Sequence, residues 1–381
     1  MTRYTGLTWD HPRGRSALEA ASRLSTDGDF ELRWDVHTLE GFESAPLAEL
    51  ADRYDLIVLD HPHLGDALAS GCLRPMEEVV GLAVVDDIAR RAVGPSLETY
   101  RLGGSTWALP LDAATQVSAW RQELASDDPR TWEQVTRLAG EAPVALSLAG
   151  PHAYLTFASV CQSLGAPLSD GVASEIVDGE TARHALELLT DLAAHAPRGS
   201  DQQNPIALLE RMTSTDDIAF IPLIYGYVGY ADRRLERHVT FGPAPAGPDG
   251  LIGSTIGGTG IAVTRRAEVT DALRAHIVWL LSEDAQTAFI PDHEGQPAMA
   301  AAWEGDAVNV PVGDFYRRTR STIDAAWTRP RFAGFTPLQS EMSAVIRHAL
   351  RERRSGADVV ATLTRMQNHA ASRAAREEVP S

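Results

Sequence analysis

Two short runs set Asp beside His and follow the pair with Pro: DHP at residues 10–12 and DHPH at residues 60–63. An imidazole titrates near neutrality and a neighbouring carboxylate can orient it, so Asp10 with His11 and Asp60 with His61 have the makings of general acid–base pairs. The same groups, with His63, could instead hydrogen-bond the hydroxyls or carboxylate of a small ligand. They could ligate a metal, although no His-x-x-x-His or Cys pair at helical spacing supports one, and none is expected. In the plainest case Asp only caps a loop and His packs on Pro. Pro removes a backbone donor and ends a strand, so both runs belong on loops after strands, at one sheet edge.

Other candidate binding residues fall near expected strand ends. Trp9, Trp107, His152, Tyr154, Tyr225, Tyr227, Tyr230 and Trp303 offer faces that stack on sugar rings, or hydroxyls and ring nitrogens that reach polar groups; core packing is the plain alternative for each. His152 opens a helix, where backbone donors favour an anion or a hydroxyl. Asp112 and Thr115 offer a carboxylate and a hydroxyl, and Gly257, Gly258 and Thr259 form a stretch where glycine admits close backbone approach or simply shapes a hinge. Arg329 and Arg331 flank Pro330 and could clamp a carboxylate or make surface ion pairs.

The elements that must position these residues alternate at the start of the chain. Strands are expected at 4–9, 30–36 and 54–59, with helices at 15–24 and 47–53, an order that implies parallel strands and right-handed crossovers. In such sheets ligands bind beyond the carboxyl ends of strands, just after Trp9 and Leu59. Further strands are expected at 105–109, 115–120, 144–148, 217–224 and 260–263. Helices are expected at 152–164, 181–195, 269–281 and 283–290, and through 312–326, 338–354 and 358–373. Thr131 and Gln134 have the spacing of a capping box, and the Pro/Gly-dense run at 241–250 reads as a connector.

Composition excludes several chemistries. The formal charge is −18, from 34 basic and 52 acidic residues, which repels nucleic acid and anionic lipid. All the basic residues are Arg. Without Lys there is no Schiff base to a carbonyl or to pyridoxal phosphate, and no Lys for a phosphate loop. No Gly-x-Ser-x-Gly elbow or dinucleotide fingerprint is present, and no cofactor is expected. Cys72 and Cys161 are expected to be free thiols. No apolar run is long enough to cross a membrane.

Several runs resemble, in order along nearly the whole chain, those of the extracellular solute-binding proteins of ABC importers (family 1, the maltose-binding-protein-like carbohydrate group). They are YDLIVLD at 54–60 with ALASGCLRPM at 67–76, WALPLD at 107–112, PRTW at 129–132, the Gly-rich return at 252–263 and the helix at 272–286 ending in Gln286. The resemblance implies an α/β, two-lobe periplasmic-binding-protein-like fold (type II), each lobe a mainly parallel sheet flanked by helices. Lobe one would be 1–112 plus 255–302 and lobe two 113–254 plus 303–381, closing on a ligand in the cleft between them.

Two functions compete. One is capture of a small polar ligand (sugar, polyol or organic acid), by Trp9, Asp10, His11, Asp60, His61, His63, Trp107, Asp112, Thr115, His152, Tyr154, Tyr225, Tyr227, Gly257, Gly258, Thr259, Trp303 and Arg331. The other is an enzyme on the same fold, of lyase, isomerase or hydrolase type, using His11, His61, Asp10 and Asp60 as acid–base residues. The N-terminal residues lack a signal-peptide pattern and a lipidated Cys. A cytoplasmic, monomeric or weakly dimeric protein is therefore expected; an ABC permease is a partner only if the gene starts upstream and the chain is exported.

Overall fold

The computed structural model describes residues 2–24, 30–39, 41, 45–125 and 128–377. The chain divides into two compact units. The first comprises Met1–Ala113, Gly257–Asn309 and Arg331–Thr336; the second comprises Ala114–Ile256, Val310–Pro330 and Pro337–Ser381. Residues 303–309 and 331–336 thus pack with the first unit, whereas the sequence suggested the second. Gly65 explains the latter segment. A Cβ there would collide with the backbone of Arg331, Phe332 and Ala333, and the Gly334 N–H donates to Asp66 Oδ1 at 2.8 Å.

In the first unit, β1 (Thr2–Trp9) lies between β2 (Phe30–His37) and β3 (Leu56–Leu59), parallel to both, and β9 (Ile256–Val263) joins β3 antiparallel. Alternation along β2 buries Phe30, Leu32 and Trp34 on one face, whereas all four residues of β3 are buried, as befits a strand covered on both sides. The helix Pro12–Leu24 starts with Pro at its first position, where the missing N–H costs nothing, and buries Ala17, Leu18 and Ala21 in the core. A hairpin of β4 (Arg101–Leu102) and β5 (Ser105–Thr106) lies apart from this sheet.

The second unit pairs its strands antiparallel, unlike the mainly parallel sheet expected of each lobe. There β6 (Leu109–Trp120), which begins in the first unit and is buried along its whole length, is flanked by β7 (Phe220–Tyr225) and β8 (Thr240–Gly242). The strand expected at 105–109 is divided between β5 and the first residue of β6, and the one expected at 115–120 lies within β6, with Pro110 at its second position, where little pairing is lost. β8 lies in the run read as a connector. The strand expected at 144–148 reduces to one bridge, Val144 to Phe220, because the Leu148 carbonyl accepts from Arg347 rather than from a strand. Thr131 and Gln134 form their capping box at the helix Trp132–Ala139. The segment 285–289 is a π-turn rather than an α-helix: the buried Gln286 spans the Leu280 carbonyl and the Ala298 N–H, at 3.1 and 2.7 Å.

Gly253 and Gly247 lie against the end of the helix His152–Ser163. A Cβ on Gly253 would fall inside contact distance of the Ser159 carbonyl and the Ser163 nitrogen, both backbone atoms that cannot swing away. Gly253→Ala is therefore expected to destabilise the second unit by about 1–3 kcal/mol. Gly171→Ala, whose Cβ would meet nothing within 4 Å, is the control for urea unfolding; equal midpoints for the two variants would contradict the packing described.

Candidate functional site

In the first unit the carboxyl ends of the parallel strands β1 and β3 carry the two Asp–His runs. After Trp9 the backbone turns at once: the Asp10 N–H donates to the His37 carbonyl at 2.6 Å, and Asp10 pairs with Arg15 at 2.8 Å at the surface. His11 Nδ1 accepts from the Arg13 N–H at 3.1 Å. Burial, with the nearby Arg13 charge adding to it, pulls the His11 imidazole down to about 4, so this ring is neutral at physiological pH. After β3, the Asp60 carboxylate accepts from the His61 N–H at 2.8 Å and stands 3.0 Å from His61 Nδ1. This contact caps the turn His61–His63 and orients a ring that is 1% exposed; His63 is buried in the same turn. The His61 ring meets Tyr100 edge-on, and the Tyr100 hydroxyl donates to the Leu59 carbonyl at 3.2 Å.

The strongest polar contact here is one that sequence reading missed. Arg13 holds Asp112 through two parallel bonds, Nε to Oδ2 at 2.7 Å and Nη2 to Oδ1 at 2.5 Å, with both side chains buried. Burial pushes the Asp112 carboxyl up, and the Arg13 guanidinium and the Thr259 backbone N–H pull against it; the Asp60 charge also reaches this carboxyl. Trp9, Arg13, Asp112 and Thr259 line one small cavity with Gln296. Gly258, at φ +98°, takes a conformation few other residues adopt, next to this point. Gly257 precedes it on β9.

Three other candidates of the first unit have structural engagements. Trp107 Nε1 donates to the Leu102 carbonyl at 2.9 Å, pinning the hairpin. Trp303 is 1% exposed and its Nε1 donates to the Pro297 carbonyl at 2.8 Å. Arg331 Nη1 donates to the carbonyls of Glu98, Thr99 and Arg101, at 3.0, 3.0 and 2.7 Å, which braces the turn.

In the second unit His152 opens its helix and meets the Tyr225 ring edge-on, with centroids 5.9 Å apart. Burial first, then the Arg329 and Arg347 charges, lower the His152 imidazole to about 3. Tyr225 is half-buried at the end of β7, and Tyr227 follows two residues later, 7% exposed. Tyr154 is fully buried, with its backbone N–H on Ser343 Oγ at 2.8 Å. Thr115 is engaged too, its hydroxyl 2.5 Å from Ser254 Oγ. It belongs to a buried polar network that the sequence did not reveal. Ser159 Oγ donates to Gln116 Oε1 at 2.6 Å and lies 3.0 Å from Thr255 Oγ1, while Ser254 Oγ donates to the Gln116 carbonyl at 2.7 Å. Among the described residues no three His, Cys, Asp or Glu side chains are grouped to hold a metal, both cysteines are free, and no helix is long and apolar enough to cross a membrane.

Residues 45–287 match the family described as bacterial extracellular solute-binding protein. No curated protein matches the chain. Among solved structures, a ribitol complex of an ABC transporter solute-binding protein from Agrobacterium radiobacter K84 is similar, with a TM-score of 0.80 at 17% identity over 97% of this chain and 98% of that one. Maltose-bound MalE3 of T. maritima gives 0.79 at 16% over 97% and 100%. A D-mannitol complex from Agrobacterium vitis S4 gives 0.76 at 14% over 98% and 99%. These likenesses show the same fold, the two-lobe α/β fold of sugar-binding proteins, and the family match spans more than half of the sequence: the chain belongs to the bacterial extracellular solute-binding protein family.

Proposed function

We propose that this protein captures a sugar or polyol, using the strand-end residues of the first unit (Trp9, His11, Asp60, His61, Asp112 and Thr259). The carrying observation is the polar end of the parallel strands. A bidentate Arg13–Asp112 pair fixes hydrogen-bonding groups beside Trp9, and a capped Asp60–His61 turn fixes others at the end of the neighbouring strand, a combination suited to hydroxyl-rich ligands. Similar folds were solved with ribitol, D-mannitol and maltose bound, which supports the same ligand class. His11 favours binding over acid–base work: a ring neutral down to about pH 4 accepts or donates a hydrogen bond but supplies no titrating group near neutrality.

Calorimetric titration with ribitol, mannitol, tagatose and maltose tests this reading. At least one should bind with one-to-one stoichiometry, and at 100 times its dissociation constant it should add about 2.7 kcal/mol to stability. His61→Ala and Asp60→Ala should each weaken that ligand roughly two- to tenfold, the worth of one hydrogen bond. Saturable binding that neither variant alters would overturn the proposed site, and a panel without any binder would overturn the ligand class. The family role calls for an ABC permease as partner. A processed, secreted form of the chain would support it, and recovery from the cytosol alone would oppose it.

A further inference from the structure

The second unit contains a cavity of about 340 Å³ that the sugar-binding reading does not use. Its walls are the segment around Leu146 and Leu148, the end of the helix Gly179–His195, the loop after it and the end of the helix Phe335–Glu352. Arg198, Arg347, Arg351 and Arg353 line it with one carboxylate, Asp201. Four positive charges less one negative leave +3 around one cavity, in a chain whose formal charge is −18. Helix C-termini attract cations, which accounts for a guanidinium or two, but not for four around one space.

Three details point inward. Arg347 is held in place: its Nη1 donates to the Leu148 and Gly150 carbonyls at 3.0 and 2.6 Å, and burial together with the Arg351 charge lowers its proton affinity. Arg351 lies 3.7 Å from Asp201, a loose pairing that leaves its charge largely available. Ser200 lines the cavity with its hydroxyl buried and without a hydrogen-bond partner among the described residues. The backbone adds an independent sign. Arg353 has φ +51°, and the Arg354 N–H closes the last helical turn on the Ala349 carbonyl at 3.0 Å. Glycine ordinarily occupies this left-handed position after a helix, because a side chain there costs energy. An Arg kept at such a position, with its side chain on the cavity wall, suits a role for the guanidinium itself.

We propose that this cavity is a second binding site, for a small multivalent anion bearing a phosphate or several carboxylates, held by Arg198, Arg347, Arg351 and Arg353 with the Ser200 hydroxyl. Inorganic phosphate and citrate are the probes, titrated calorimetrically into the full chain at constant ionic strength with chloride as the control. At least one probe should bind saturably while chloride does not; whichever binds distinguishes the phosphate from the carboxylate class. Arg351→Gln and Arg353→Gly should each weaken that probe about tenfold or more, the worth of a charge-assisted bond. Arg353→Gly should also raise the unfolding midpoint of the ligand-free protein, which separates lost binding from lost folding. Sugar titrations should be unchanged in both variants, so failure of the sugar reading and failure of this one are distinguishable. Absence of saturable binding of both probes to the parent chain, or equal binding by parent and variants, would overturn the proposal.

Discussion

Asp112→Ala should cost the first unit about 3–5 kcal/mol, lowering its thermal midpoint by roughly 10 °C. The reason is asymmetric. Arg13 and Asp112 are both buried, and each is the other's fork partner. Removing the carboxylate takes two charge-assisted bonds from a buried guanidinium, and the pair's attraction no longer offsets the cost of desolvating it. Arg13→Ala should cost a similar amount by another route: burial, already pushing the Asp112 carboxyl up, then acts without the opposing guanidinium, and the carboxyl takes a proton. The double change Arg13→Met with Asp112→Leu should recover most of the loss, since an apolar pair of similar volume asks for no desolvation. Calorimetric or urea unfolding of the parent, Arg13→Met, Asp112→Leu and the double variant forms a double-mutant cycle. A coupling energy near zero would mean that the fork contributes nothing, and would remove the reason for regarding it as a rigid element of the binding site.

The parts legible in sequence were those governed by local rules. The opening β-α-β-α-β run showed itself through strand alternation, the all-apolar β3 and Pro12 at a helix start, and Thr131 with Gln134 announced a capping box that the structure forms. The Asp–His runs were placed at strand ends because Pro stops pairing, and they follow β1 and β3. Long-range partnership was not legible. Arg13 and Asp112 are 99 residues apart, and neither position hints at the other. Only the fold shows three backbone carbonyls around the Nη1 of Arg331. Thr115, Gln116, Ser159 and Thr255 looked like scattered polar residues within apolar runs, and become a network only when β6 meets the helix His152–Ser163. The antiparallel pairing of the second unit escaped detection for a related reason: a strand buried on both faces reads the same in either direction.

Stability should fall steeply below pH 6.5, and three histidines set the window. In the folded chain burial holds His11 and His276 at about 4 and His152 at about 3, whereas each would titrate near 6.5 in an unfolded chain. Between those values the unfolded state binds protons that the folded state refuses, so the stabilising contribution is complete above 6.5 and is lost as pH falls toward 4. Each such group removes about 1.4 kcal/mol per pH unit within the window. The first unit carries two of them, His11 and His276, and should lose about 3 kcal/mol between pH 6 and pH 5; the second unit carries His152 and should lose about half as much. Ordinary carboxylates titrate lower, and the buried Asp112 carboxyl, which burial pushes up, is common to the parent and a histidine variant, so the difference between them isolates the imidazole. His276→Phe is the informative variant, because the ring packs edge-on against Phe30, with centroids 5.6 Å apart, and leans on Trp279, so a phenyl can keep both contacts. It should halve the pH slope of the first unit's unfolding free energy. An unchanged slope in urea titrations from pH 7 to pH 5 would show that His276 takes up its proton without unfolding, and would remove it from the set.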